Sequence, residues 1–382
     1  MESNNPATQR AKRDSGMELL KIAGILLIIL SHVVQTLRMK SGYSPYSDYL
    51  INTAVATQSA RVLVLHFLSF SGQFGNWLFF LCSAWFLTGS KRSKKNKITF
   101  LVLDIWFVSV IFLAAVLIIN PDIISAKIIA RCLFPTTWAN NWYLTAYILI
   151  YAAHPFLNVI IDNLPQRSLF ALSATMMTLY TGINFLKNSF FSSKIIVWVA
   201  VYFAVAYVRR YMPVFSGSIK ANAVLFAVSF ASHIALVLAT NYAGLHISAL
   251  SGQMNHWLIM SNPMLIAMAA ALFNIMRNIH FSSRAVNYVS GLSLLIYIIH
   301  ENILVRIYFR PFLWHYIYNH YGFDHIFALT FAYTAGMFAV SALLAAVYHL
   351  TLEKLVVKAA DRITALLSKL YGRIEAKAMK VK

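Results

Sequence analysis

Charge is scarce in this chain. Only 12% of its 382 residues are Asp, Glu, Lys or Arg, against roughly 25% in ordinary soluble proteins. Acid is scarcer still: 12 Asp+Glu face 32 Lys+Arg, a formal net charge of +20. Cysteine occurs twice, and Cys82 and Cys132 support neither a disulfide framework nor a metal site. No glycine-rich phosphate loop, no dinucleotide fingerprint, no Gly-Pro linker and no internal repeat can be read along the chain. These absences exclude disorder and argue against a water-soluble globule. What is abundant is apolar: 59% of residues are hydrophobic. In a soluble protein the basic excess would suggest nucleic acid. In an apolar chain it reads as Lys and Arg in cytoplasmic loops that orient membrane helices.

About 20 apolar residues span a bilayer. Ten candidate spans follow, near 17–37, 73–89, 100–119, 142–161, 168–186, 194–208, 222–241, 257–276, 288–306 and 326–350. Arg38, Met39 and Lys40 follow the first run where a signal peptide would show small residues, so a retained helix is expected. A partly apolar stretch, 54–70, reads as a re-entrant or surface helix in a long first loop. With the N-terminus inside, 22 of the 32 basic residues fall in inner segments and 9 in outer loops, among them Arg306 and Arg310. That bias predicts an all-α, polytopic membrane protein with about ten transmembrane helices and both termini cytoplasmic. The expected organisation is a cytoplasmic tail over 1–16, a helical membrane domain over 17–350, and a basic amphipathic helix over 351–382. Leu352, Leu355, Val356, Ala359 and Ile363 open the apolar stripe of that last helix. It suits an anionic inner leaflet, with docking to a partner as the alternative.

Ionisable groups inside spans are costly, and each marks a functional hypothesis. Lys21 and His32 stand eleven residues apart in the first span, on one helix face and roughly 16 Å apart along the axis. A cation at the inner mouth and an imidazole deep within suit a ligand with an anionic head and a long arm, such as an acyl-coenzyme A. The cation would meet phosphate, and the imidazole would act as general base at the thioester. The structural alternatives are a snorkelling lysine and a histidine hydrogen-bonded between helices. In the ninth span His300 lies roughly 18 Å beyond Tyr288, at a depth like that of His32. Glu301 follows it, and adjacent helical residues face different ways. Asp104 reads as an inner-face charge partner of the run Lys91, Arg92, Lys94, Lys95 and Lys97. Trp138, Trp142, Tyr143, Trp314 and the stretch 316–321 read as aromatic belts, with sugar stacking the functional alternative. Ser83 reads as a small residue at a helix contact.

Four segments carry a resemblance. They are MELLKIAGILLIILSH (17–32), FGNWLFFLCSAWFLTGSK (74–91), NNWYLTAYILIYAAHPFLN (140–158) and SGLSLLIYIIHENILVR (290–306). In this order they resemble the acyltransferase-3 family of integral membrane acyltransferases. The resemblance implies a ten-helix domain that moves an acyl group, usually acetyl, from cytoplasmic acyl-CoA to a hydroxyl of a cell-envelope or exported glycan. The family's first-helix arginine is Lys21 here, which keeps the charge and loses the bidentate fork. Its Ser-Gly pair is Ser83–Ala84.

The expected site is therefore His32, His300 and Glu301 for catalysis. Lys21, Lys91, Arg92, Lys94 and Lys95 would hold the phosphates of the donor, acetyl-CoA. No metal is expected. The expected partners are a glycan or glycolipid acceptor and membrane lipids, with no nucleic acid. The rival reading is a transporter or flippase of an envelope glycan or lipid precursor.

Overall fold

The computed structural model describes residues 14–37, 56–90, 94–183 and 194–379. Its regular elements are helices, and no strand occurs among the described residues. That is the outcome expected of an apolar chain, because only a helix satisfies backbone N–H and C=O groups within one segment when water is absent. The helices are α1 (Ser15–Thr36), α2 (Ala60–Leu68), α3 (Ser71–Leu87), α4 (Lys97–Ile119), α5 (Ala126–Leu133), α6 (Trp142–Asn163), α7 (Gln166–Met177) and α8 (Lys194–Tyr211). They continue as α9 (Ile219–His246), α10 (Pro263–Arg277), α11 (Arg284–Gly291), α12 (Ser293–His300), α13 (Arg310–Tyr321), α14 (Ile326–Thr351) and α15 (Glu353–Met379). Five of them, α1, α4, α6, α9 and α14, are long and apolar enough to cross a membrane.

Each expected span coincides with a helical segment, but several are shorter or more broken than the apolar runs suggest. Asn262 caps α10 at the Met264 amide (2.9 Å), and Pro263 holds its first position, so α10 is only 15 residues long. The α7 span passes into a wide π-turn over Thr178–Ile183. The ninth span is not one helix. Leu292 separates α11 from α12, and the chain breaks again after His300. A π-helical stretch, Val305–Phe309, then leads into α13.

Helix α1 is the axis of the bundle. It packs against α3, α10, α11, α12 and α14. Its most apolar stretch is 61% buried, against 17% for α9 at the periphery. The closest neighbour is α3, and glycine makes the approach possible. A Cβ on Gly75 would meet the Gly24 carbonyl oxygen at 2.5 Å. Backbone-to-backbone contact of this kind is how small residues join helices where burial of apolar surface gives no advantage over lipid.

The region expected as a re-entrant or surface segment contains α2, whose Leu65 and His66 are fully buried. The tail forms one helix, α15. Its first half leans on α4, where Asn96 donates to Asp361 (2.6 Å) and Thr364 to Thr99 (2.9 Å). Leu366, Leu367, Leu370 and Tyr371 stay exposed beyond that contact.

Candidate active site

Helix α1 carries His32 eleven residues after Lys21, and α12 delivers His300 to the same depth from 268 residues away. The two rings stack with centroids 5.4 Å apart, and His32 Nδ1 lies 3.2 Å from His300 Nε2. Glu301 joins them, its Oε1 standing 3.1 Å from His32 Nδ1. On an unbroken helix Glu301 would point about 100° away from His300. The two are not paired with each other; both converge on His32 Nδ1. The helix ends just beyond, where the Asn302 side chain accepts from the Leu304 amide (3.0 Å), while the Glu301 amide still donates to the Tyr297 carbonyl (3.1 Å).

The hydrogen bonds assign the tautomers. His300 Nδ1 sits 2.9 Å from the Ile296 carbonyl, which only accepts, so Nδ1 carries the hydrogen and Nε2 a lone pair. His32 Nδ1 then faces a lone pair and a carboxylate, and it must be the donor to both. The Nε2 of His32 is left with its lone pair unused in this network. His300 and Glu301 are buried, while the His32 side chain keeps 18% exposure, so something outside can reach it.

Arg310 Nη2 donates to Glu301 Oε1 at 2.9 Å, and Arg306 Nη1 lies 4.0 Å from Oε2. Both arginines were expected in an outer loop. The structure buries Arg310 to 2% exposure, because the π-helical stretch and α13 fold back over the end of α1. Trp314 is corrected with it. It is fully buried and donates to the Val33 carbonyl (2.6 Å), so it anchors α13 on α1 instead of marking a belt. Tyr143 also leaves the expected belt for the core, where its ring meets Trp198 at 4.8 Å and Tyr297 at 5.7 Å. Tyr297 in turn packs edge-on against His300 at 5.5 Å. The Tyr143 hydroxyl and Trp198 Nε1 are buried without a hydrogen-bond partner. Such groups cost about 1–3 kcal/mol each.

The side-chain donors of His32, His300 and Glu301 lie within 4.8 Å of one another, a spacing that could hold a metal ion. Two guanidiniums already stand beside the same carboxylate. A divalent cation would add charge where the carboxylate is already compensated. The cluster fits an acid–base role better than a metal centre.

Lys21 lies near the opposite end of α1. Its ammonium pairs with Glu18 (3.2 Å) and sits 6.0 Å from the Phe86 ring centre. Glu18 is buried and is also reached by the Ser290 hydroxyl. The i, i+3 spacing of Glu18 and Lys21 places the acid on the same helix face as the lysine. Of the basic run, Lys91 and Arg92 lie outside the described residues. Lys94 and Lys95 are exposed, and the Lys94 amide donates to the Tyr151 hydroxyl (2.9 Å). Asp104 is buried and accepts from Tyr348 (2.9 Å), tying α4 to α14. His66, His154 and His233 each have a hydrogen-bond partner, consistent with structural roles. Ser83 donates to the Phe79 carbonyl within its own helix.

The acyltransferase-3 family model, described as an acyltransferase domain, matches residues 14–347. The match runs from the cap of α1 to the last turns of α14 and takes in every residue of the histidine cluster. Neither the curated proteins nor the solved structures gave a match to the chain.

Proposed function

The chain belongs to the acyltransferase-3 family, and from that premise we propose a membrane O-acyltransferase with His32 as its general base. The donor is acyl-CoA, acetyl-CoA first among them, and the acceptor is a hydroxyl of a cell-envelope or exported glycan. The observation that carries this reading is the hydrogen-bond chain that commits His32 Nδ1 to Glu301 and His300 and leaves Nε2 as a base.

In the proposed reaction His32 Nε2 takes the proton of the acceptor hydroxyl as its oxygen attacks the thioester carbonyl. The new C–O bond forms, the C–S bond breaks, and the proton passes from Nε2 to the departing coenzyme A thiolate. Glu301 stabilises the imidazolium that exists between these two transfers. Arg310 and Arg306 keep that carboxylate ionised and aimed, and His300 fixes the His32 tautomer. Positioned bases of this kind contribute about 10²–10⁴-fold.

The broken ninth span also suits a transporter, since discontinuous helices form substrate sites in transporters. One experiment separates the two. Envelope glycans from cells with and without the gene are compared by mass spectrometry. Loss of one acyl mass per sugar supports the enzyme, whereas an unmodified precursor retained on the inner face supports a flippase. Full acylation in a stably expressed His32→Ala variant would end the proposal for His32.

A further inference from the structure

At the end of the bundle where α1 begins, the last turns of α8 and α10 bring two arginines to one tryptophan of α3. The Arg277 guanidinium lies 4.5 Å from the Trp85 ring centre and that of Arg209 lies 5.0 Å from it. Arg209 also donates to the Trp85 carbonyl, and its entry depends on Gly89, where a Cβ would meet the guanidinium at 2.3 Å. Arg277 donates to the Ser216 carbonyl (2.8 Å), while its Nε is buried without a hydrogen-bond partner. Among the described residues neither arginine makes an ion pair. The adjacent Arg210 does, with Asp162. Two like charges against one ring repel each other, and among the described residues no acidic side chain pairs with either.

Trp85 also lines a small apolar pocket with a volume of about 110 Å³, room for a short apolar group. Phe273, Asn274, Leu81, Val205 and Ala270 line it too. Two cations that share a tryptophan with an apolar pocket complement an anionic group carrying a short apolar arm. Guanidinium is the group that holds phosphate by paired hydrogen bonds, and basic pockets between membrane helices receive phosphate headgroups.

We infer that Arg209, Arg277 and Trp85, with the pocket that Trp85 lines, bind a phosphate-bearing molecule whose short apolar arm enters the pocket. Two sources share that chemistry, an acyl-coenzyme A and a phospholipid. The inference does not rest on acyl transfer at His32, because it concerns binding at another site.

The test uses the full chain purified in a neutral maltoside and titrated calorimetrically with two probes. One is butyryl-coenzyme A and the other is dioctanoyl phosphatidylglycerol. At least one is expected to bind. Arg277→Gln should weaken that probe by about tenfold or more, the loss expected for a charge-assisted hydrogen bond. Arg277→Lys should fall between, keeping the charge and losing the fork. Ala270→Phe, which fills the pocket, should weaken the same probe while leaving the thermal midpoint near that of the parent. The probe that responds identifies the source. His32→Ala should bind as the parent does, which separates this site from the catalytic proposal. If neither probe binds the parent chain, or if Arg277→Gln binds as tightly as the parent, the inference is overturned.

Discussion

At one end of the bundle Glu301 has Arg310 at 2.9 Å, Arg306 at 4.0 Å and His32 at 3.1 Å. At the other end Arg209 and Arg277 share the Trp85 ring with no ion pair among the described residues. Both ends hold charges in an apolar protein, yet they handle them oppositely. The Glu301 cluster compensates its own charge, so its geometry is fixed before any ligand arrives, as acid–base chemistry requires. The arginine pair leaves its charge uncompensated, and an arriving anion gains what the protein has left unmade. Lys21 belongs with the first kind, since Glu18 already neutralises it.

The largest effect that would break this contrast is at His32. Its replacement by Ala should lower acyl transfer by about 10²–10⁴-fold at unchanged membrane expression, read as acyl groups per sugar. Retained transfer would make the compensated cluster merely structural. Next comes the ion pair itself. Arg310→Met leaves the buried Glu301 with His32 and a guanidinium 4.0 Å away, and should cost about 3–5 kcal/mol of stability, seen as a lowered thermal midpoint in detergent. Adding Glu301→Gln should restore most of that midpoint but not the activity. If the double variant is no more stable than the single, the pair is not the coupled unit described here.

Lys21→Gln sharpens the comparison from the other side. It should change the apparent donor affinity by only a few-fold, less than Arg277→Gln does in the coenzyme A titration, because its charge is already spent on Glu18. A larger effect for Lys21 would move the anion site to α1. The smallest effect concerns Asp14, the cap of α1. Burial alone would raise its carboxyl, but hydrogen bonds from His280 and the Gly16 amide, with the His280 charge, outweigh burial and hold it below its ordinary value of 3.8. A depressed carboxyl stabilises the fold above its unfolded value and loses that contribution as pH falls through the lower folded one. The thermal midpoint should therefore decline below about pH 4, and Asp14→Asn, which keeps the cap, should remove part of that decline. An identical acid profile in the variant would show that the decline has another source.

Much of the site was legible because helix geometry is local. The depth of His32 and His300 follows from counting residues at a fixed rise, and the cost of ionisable groups in spans singled out both, with Glu301. Arg310 was not legible. Nine residues beyond Glu301 and past the end of an apolar run, it looked like an ordinary loop cation, and only the fold-back of α13 buries it. Trp314 and Tyr143 differ from expectation for the same reason, since an aromatic at a run's end reads as a belt residue until a neighbouring helix covers it. Arg209 and Arg277 were counted as topology charges, and no spacing in the chain relates them to Trp85.

The sequence by itself determined the class of the molecule: apolar runs of span length, basic residues sorted between them, and a few ionisable exceptions. Those are properties of single segments in an apolar solvent, where backbone satisfaction forces helices whatever surrounds them. Tertiary structure decided which exceptions meet. Hydrogen bonds and ion pairs reach only about 3–4 Å, and residues 268 positions apart come within that distance only when packing sets the depth and rotation of their helices.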